Sequence, residues 1–365
     1  MSVSSFSRNI VSHLDSSPGT SAALFVSGLV GTLAFMSLMA LILIYVERKV
    51  AAHFQCRLGP MRVGWHGILQ SVADALKLIL KEDIVPFSAD KLMHATAPVF
   101  AVVAMLLTLI AIPLSSSLTL ADSNIGVLYI SAVSGLGVLG ILLGGWSSNN
   151  KWSLIGAMRA GAQIISYELS ATLSVLVIIM LSGSLKLSTI IQSQANGWWI
   201  WRAPGVGLIA FITFIISSTA EINRTPFDLA EGESELTAGF HTEYSGMRFA
   251  FFFLAEYLNL FVVSALGATL FLGGWMPLHI GDQQGLFSGF NQVMDLIPEF
   301  VWFMLKTASL IFLSMWFRWT FPRLRVDQLM KLEWKILMPI GFLNLVLAAL
   351  MTFFGFFFFA TGRGF

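Results

Sequence analysis

The chain has 365 residues, 56% of them hydrophobic and only 11% charged, with a net charge of +1 and a mean hydropathy of +0.79. Soluble domains run near 25% charged, and this much apolar surface fits no single water-soluble core, which excludes a soluble enzyme, a disordered tail and a nucleic-acid binder. The lone cysteine, Cys56, cannot by itself form a disulfide or hold a metal cluster, so any redox centre used here sits on another chain.

A bilayer core takes about 20 consecutive apolar residues per helix. In chain order such runs fall at Ser21–Val46, Ala95–Ser115, Ile125–Trp146, Ile164–Ser182, Gly205–Ala220, Phe249–Trp275, Val301–Phe321 and Ile336–Ala360. The fifth is the shortest. The first is too long for a cleavable leader and follows polar rather than basic residues. The expected fold is therefore an all-α polytopic membrane protein with eight transmembrane helices, one membrane domain over 1–365. Sixteen of the 21 Lys and Arg residues fall on the side of the loops after the odd-numbered spans, fifteen of them within about 47–94, 147–163, 221–248 and 322–335 and Arg318 at the end of the seventh span. Basic loops stay cytoplasmic, so both termini are expected on the periplasmic side. Trp198, Trp199, Trp201 and Trp275 stand where an outer aromatic belt would lie.

The first long loop contains an apolar stripe, Ile68, Leu69, Val72, Leu76, Ile79 and Leu80, at helical spacing. It predicts an amphipathic surface helix over His66–Lys81, with Gln70, Asp74, Lys77 and Lys81 on the polar side. The loop 221–247 is acidic, with Glu221, Asp228, Glu231, Glu233, Glu235 and Glu243 against Arg224. Apolar Phe227, Leu229, Leu236 and Phe240 are interleaved, so the segment is expected to be partly buried and its carboxylates to need partners. The spacing around Gly232 does not fit a calcium loop.

Charged side chains occur well inside spans at Glu168, Glu256 and Lys306. An Asp or Lys at mid-membrane costs roughly 2.5–3.5 kcal/mol, so such residues mark an ion or proton path or a buried ion pair. A Lys306–Glu256 pair is the structural alternative. With Glu221 at the end of span 5, carboxylates occur both at mid-membrane depth and at the inner face. Gly135–Gly140 (GLGVLG) matches a dinucleotide pattern but lies inside span 3 with no strand before it, so close helix packing is the better reading. The six histidines show no metal-ligand spacing, and no P-loop or nucleophile elbow occurs.

The inner loops resemble one family. Its residues here are Glu47–Ala52 (ERKVAA), Arg57–Gly64 (RLGPMRVG), Ala73–Lys77 (ADALK), Lys81–Asp83 (KED), Trp146–Lys151 (WSSNNK), Arg159–Glu168 (RAGAQIISYE), Ala220–Leu236 (AEINRTPFDLAEGESEL), Glu243–Tyr244, Arg318–Arg325 (RWTFPRLR) and Asp327–Met330 (DQLM). They resemble the quinone-site membrane subunit of respiratory complex I, the H subunit of bacteria and the first membrane subunit of mitochondria. Departures are small: Ile222 replaces the usual Thr, Ser71 a frequent Pro, and Glu333 adds an acid after the final basic loop.

The resemblance implies a chamber for ubiquinone or menaquinone as substrate, with FMN and iron–sulfur clusters on partner subunits. It implies as partners the hydrophilic iron–sulfur and quinone-site subunits, small membrane subunits and antiporter-like subunits. By motif match, Glu47, Arg48, Arg57, Asp74, Arg224, Phe227, Arg318 and Arg323 would lie in or beside the chamber. Glu168, Glu221, Asp228, Glu231, Glu233, Glu235 and Glu256 would form an acidic path toward the proton-pumping subunits. No residue of this chain would itself be redox-active. The chain is longer than animal mitochondrial members, which points to a bacterial inner membrane. A membrane-bound hydrogenase subunit and a stand-alone proton-coupled transporter are the alternatives.

Overall fold

The computed structural model describes residues 18–195, 197–229, 237–279 and 288–355. All regular structure among them is helical. Seven helices are long and apolar enough to cross a membrane. We number the main helices α1 (Pro18–Phe54), α2 (Gln70–Leu80), α3 (Lys91–Ala111), α4 (Gly126–Ser147), α5 (Lys151–Ser182), α6 (Val206–Glu221), α7 (Gly246–Phe271), α8 (Glu299–Thr320) and α9 (Val326–Phe354). The protein is thus an all-α polytopic membrane protein. Helix α6 is apolar but has only 16 residues, about 24 Å at 1.5 Å per residue. Helix α2 falls within the stretch His66–Lys81 where the sequence predicts a helix, and a separate turn at Trp65–Gly67 precedes it.

The helices run further than the apolar runs. Asn150 accepts a hydrogen bond from the Trp152 amide and so starts α5 at Lys151. Most of 147–163, expected as a loop, is therefore helix, and Glu168 lies in the middle of it. Asp90 likewise caps α3 through the Leu92 and Met93 amides. Helix α1 continues to Phe54, so Glu47 and Arg48 are carried on a rigid helix rather than in a loop. Helix α9 starts at Val326, which puts Glu333 inside a helix, at the head of a π-helical turn, Glu333–Leu337.

Helix α7 is central and touches α1, α3, α6 and α8, while α5 packs on α4, α6 and α9. Small residues set these distances. A Cβ on Gly140 of α4 would come within 3.0 Å of the Ala97 carbonyl of α3, so the sequence's small-residue stripe is a packing seam. A Cβ on Gly156 would meet Gly239 at 2.9 Å, which holds the returning end of the acidic loop against α5.

Candidate functional site

A charged network lies where α1, the loop after α6, α7 and α8 meet. Arg224 is 3% exposed. Its Nη1 donates to Glu47 Oε2 at 2.9 Å and its Nε to Glu256 Oε1 at 3.0 Å. Its guanidinium lies 4.7 Å from the Tyr257 ring centre. Arg318 Nη1 donates to the other oxygen of Glu47 at 2.5 Å. The order Arg318–Glu47–Arg224–Glu256 joins three helices and one loop by alternating charge. Burial alone would lower the Arg224 pKa, but Glu47 and Glu256 hold it above its ordinary value, so this cation stays charged.

The loop carrying Arg224 is itself fixed. Gln163 of α5 donates to the Ala220 and Phe227 carbonyls, both at 2.7 Å. Phe227 is buried, with its ring 5.4 Å from that of Tyr167. Asp228 is buried and pairs with Arg323 at 2.9 Å.

Two cavities lead away from the network. One, of about 80 Å³, is lined by Glu256, Asn223, His241, Asn259 and Glu221. The second, of about 140 Å³, is lined by Glu221, Asn259, Thr108, Ser131 and Glu168. Glu221, Ser134 and Asn259 border both. Each exceeds the roughly 10–15 Å³ that one water needs, and each offers polar partners for water. The three carboxylates Glu256, Glu221 and Glu168 are thus strung along adjoining spaces between α3, α4, α5, α6 and α7.

Arg48 forms an ion pair with Asp74, which tethers α2 to α1. Gln70 supports Asp74 at 3.2 Å, and the Tyr45 hydroxyl donates to the His66 carbonyl at 3.0 Å. The stripe residues Ile68, Leu69, Val72, Leu76, Ile79 and Leu80 are all exposed. Arg57 does not join the network: it is exposed and binds Gln55 at 2.7 Å. Glu231, Glu233 and Glu235, assigned to the acidic path, lie outside the described residues. Glu243 instead accepts a hydrogen bond from Asn150 at 2.6 Å.

Lys306 does not pair with Glu256, whose partner is Arg224. Its amine donates to the carbonyls of Leu272, Gly274 and Met276 at 2.6, 2.9 and 2.6 Å, and lies over the Trp198 ring. It closes the end of α7 as a bracket. Of the four tryptophans at the expected outer belt, Trp199 and Trp275 are buried and Trp201 is strongly exposed.

His241, Asn259 and Tyr257 belong to the site and carry no motif signal, and Gln163 lies in the motif Arg159–Glu168 without an expected role. His241 is buried among Phe240, Phe249 and Phe253, and burial pushes its pKa down to about 4, so it is neutral near pH 7. Among the described residues, no three His, Cys, Asp or Glu side chains converge to hold a metal ion.

Fold and site together define a polytopic membrane protein with a buried charge network opening onto carboxylate-lined cavities. Residues 27–349 match the family model described as NADH dehydrogenase. The chain is 55% identical over 322 residues to the H subunit of the NADH-quinone oxidoreductase of Bacteroides fragilis, covering 88% of this chain and 89% of the relative. It is 54% identical over 325 residues to that of Bacteroides thetaiotaomicron (89% and 90%) and 46% over 341 residues to that of Geobacillus kaustophilus (93% and 97%). The chain belongs to the family of NADH-quinone oxidoreductase H subunits. With the polytopic fold, these bacterial relatives place it in a bacterial inner membrane.

Proposed function

We propose that this chain forms part of the quinone chamber of a proton-translocating NADH:quinone oxidoreductase and passes the effect of quinone reduction to a track of buried carboxylates. The observation that carries this reading is the continuity of the Arg318–Glu47–Arg224–Glu256 network with the two cavities that reach Glu221 and Glu168. Glu47, Arg48, Arg57, Asp74, Arg224, Phe227, Arg318 and Arg323 line or border the chamber. Electrons come from an iron–sulfur cluster on a hydrophilic partner, and FMN also sits on partner subunits.

Reducing a quinone to a quinol takes up protons as well as electrons. Any charge that appears meanwhile at the chamber acts on the Arg318–Glu47–Arg224–Glu256 network beside it. In a poorly screened interior such a charge shifts neighbouring carboxylates by kcal-scale energies. Glu256, Glu221 and Glu168 exchange protons through cavity water and carry the change across the helix bundle. Asp228, Glu231, Glu233 and Glu235 extend the track at the inner face. Small membrane and antiporter-like subunits receive it.

The same reading sets the chain in its bilayer. The eight helices α1 and α3–α9 cross it, with both termini on the periplasmic side. The exposed stripe of α2 rests on lipid at the inner face, and its Asp74 side faces the chamber.

The test is Glu221→Gln in the intact complex in membrane vesicles. The variant should assemble and lower the number of protons moved per quinone reduced. A normal proton yield in an assembled variant sinks the carboxylate-track reading.

A further inference from the structure

Glu333 is fully buried, yet it stands apart from the carboxylate track. It is also a departure from the family pattern, an acid added after the final basic loop. Its Oε1 accepts a hydrogen bond from the Ser170 hydroxyl of α5, while its Oε2 is buried without a hydrogen-bond partner. No ion pair to it exists among the described residues. Lys331 and Lys335, two residues to either side, point outward and are exposed. Its titratable neighbour across the helix interface is Tyr167, whose hydroxyl donates to the Leu329 carbonyl, one turn earlier on α9.

A carboxylate ion buried with one hydroxyl and no cation is poorly compensated. A neutral carboxyl group suits the same place, because Ser170 satisfies one oxygen and the other carries the proton. The backbone adds a second sign. The turn that presents Glu333 is π-helical, and such widened turns are frequent at functional sites.

Ser170 and Glu168 are two residues apart on α5, which puts them on nearly opposite faces. Helix α5 therefore holds a carboxylate of the track on one face and grips Glu333 from the other. A crevice of about 450 Å³ between α4, α5 and α9 is bordered by Glu168 but by neither Glu333 nor Ser170, only by their neighbours. It is lined by Glu168 itself, by Leu169 and Leu173 beside Ser170, and by Met338 just past the π turn. On the other side, Ser174 donates to the Ser170 carbonyl at 3.0 Å and lies 2.7 Å from the Thr213 hydroxyl of α6. Thr213, Ser217 and Glu221 follow one another at four-residue steps on α6, so the polar seam runs on toward the carboxylate shared by both cavities.

We propose that Glu333 is an additional proton-exchanging site on the last helix, clamped by Ser170 and loaded and unloaded in step with the Glu168–Glu221 track. The step is a proton transfer alone. Oε2 receives a proton that a protonated carboxyl of the track gives up and water relays, leaving that carboxyl ionised, and later returns it by the same route, while Oε1 keeps its bond to Ser170. The proposal rests on the carboxylate-track reading and extends it to a residue outside the family motifs. It also gives the chamber side a handle on the site, because Phe227 packs on Tyr167, and Tyr167 is bonded to the turn below Glu333.

The test uses the whole complex in native membrane vesicles and infrared difference spectra between the oxidised-quinone and reduced-quinone states. A protonated-carboxyl C=O band is expected that changes on quinone reduction, vanishes in Glu333→Gln and shifts in Ser170→Ala. If no such band is lost in Glu333→Gln, the group is permanently ionised and the proposal is overturned. If the band is present but indifferent to quinone reduction, Glu333 is a structural hydrogen-bond partner and the proposal is equally overturned. Should Glu333→Gln fail to assemble, the Ser170→Ala spectrum decides, since loss of the hydroxyl moves the band only of a protonated Glu333. Glu221→Gln separates the two readings. A normal proton yield there removes the track itself, whereas a lowered yield with a silent Glu333 removes this inference alone.

Discussion

Glu47 and Arg224 pair at 2.9 Å across 177 residues of sequence, with side chains only 6% and 3% exposed. This pair ties α1 to the loop that follows α6. It also sets the charge balance of the site, because Glu47 serves Arg318 with its other oxygen and Arg224 serves Glu256 with its Nε. Removing one partner of a buried pair costs about 3–5 kcal/mol, much of it from the charge left behind. Arg224→Met should therefore strip the complex of stability by about that amount and strand both Glu47 and Glu256. Arg318→Met should cost less, since Arg318 is 29% exposed and Glu47 keeps Arg224. Thermal midpoints and yields of assembled complex for the two variants check the order. Equal losses would mean that the network is not organised around Arg224.

Lys306 gives the opposite expectation to that of an ion path. Its three carbonyl partners belong to the turn that ends α7. A hydrogen bond to a charged group contributes about 1.5–3 kcal/mol, and unsatisfied buried groups add a penalty. Lys306→Met should lower the thermal midpoint and loosen the Leu272–Met276 turn, seen as faster amide exchange there. Molecules that remain assembled should move the usual number of protons per quinone. A reduced yield with unchanged stability would restore Lys306 to the path.

His241 supplies a pH dependence with a definite sign. Its ordinary value is 6.5 and burial brings it to about 4. Between those values the unfolded chain binds a proton that the folded chain refuses, so stability rises with pH across that window and falls as the medium is acidified. The depression corresponds to about 3 kcal/mol at roughly 1.4 kcal/mol per unit. Thermal midpoints of wild type should climb from pH 4 to pH 6.5, and His241→Gln should flatten that slope. An identical slope in the variant would show that other groups cause it.

The spans are legible in the sequence because an apolar run of bilayer length seldom arises in any protein that does not cross a membrane. Glu168, Glu256 and Arg224 are legible too, since a charge within or beside such a run is conspicuous. Pairing is not. Lys306 looks like the natural partner of Glu256, but which cation reaches Glu256 depends on how the loop after α6 folds back, and Gln163 sets that through two backbone carbonyls, whose hydrogen bonds no side-chain pattern reveals. Glu333 looks like a loop acid because hydropathy places the start of the last helix at Ile336. The start at Val326 depends on a turn of mixed polarity that hydropathy alone does not rate as helix. His241 gives no signal because its surroundings are aromatic, and a search for metal-ligand spacing cannot see burial.

Asn259 stands at the joint of the two cavities. An apolar side chain of similar size leaves the helix intact but removes the amide that water at the joint would bind. Asn259→Leu should lower the proton yield per quinone and leave quinone affinity unchanged, while Asn259→Gln should keep most of the yield. The comparison of proton uptake with quinone reduction in vesicles checks it. If Leu and Gln behave alike, the cavities are not joined through this residue.

Arg48 and Asp74 test the other end of the proposed route, where substrate would enter. Their pair is the ionic link between α1 and α2, and both side chains are partly exposed, so it contributes little to global stability. Its removal frees α2 to tilt on its exposed apolar stripe, which changes the shape of the entrance rather than the charge balance at Arg224. Asp74→Ala should raise KM for short-chain quinones, with kcat and protons per quinone less affected. The expected pattern separates entry from coupling: Glu221→Gln changes the proton yield, Asp74→Ala the KM. A normal KM in Asp74→Ala, with the complex assembled, would remove α2 from the chamber.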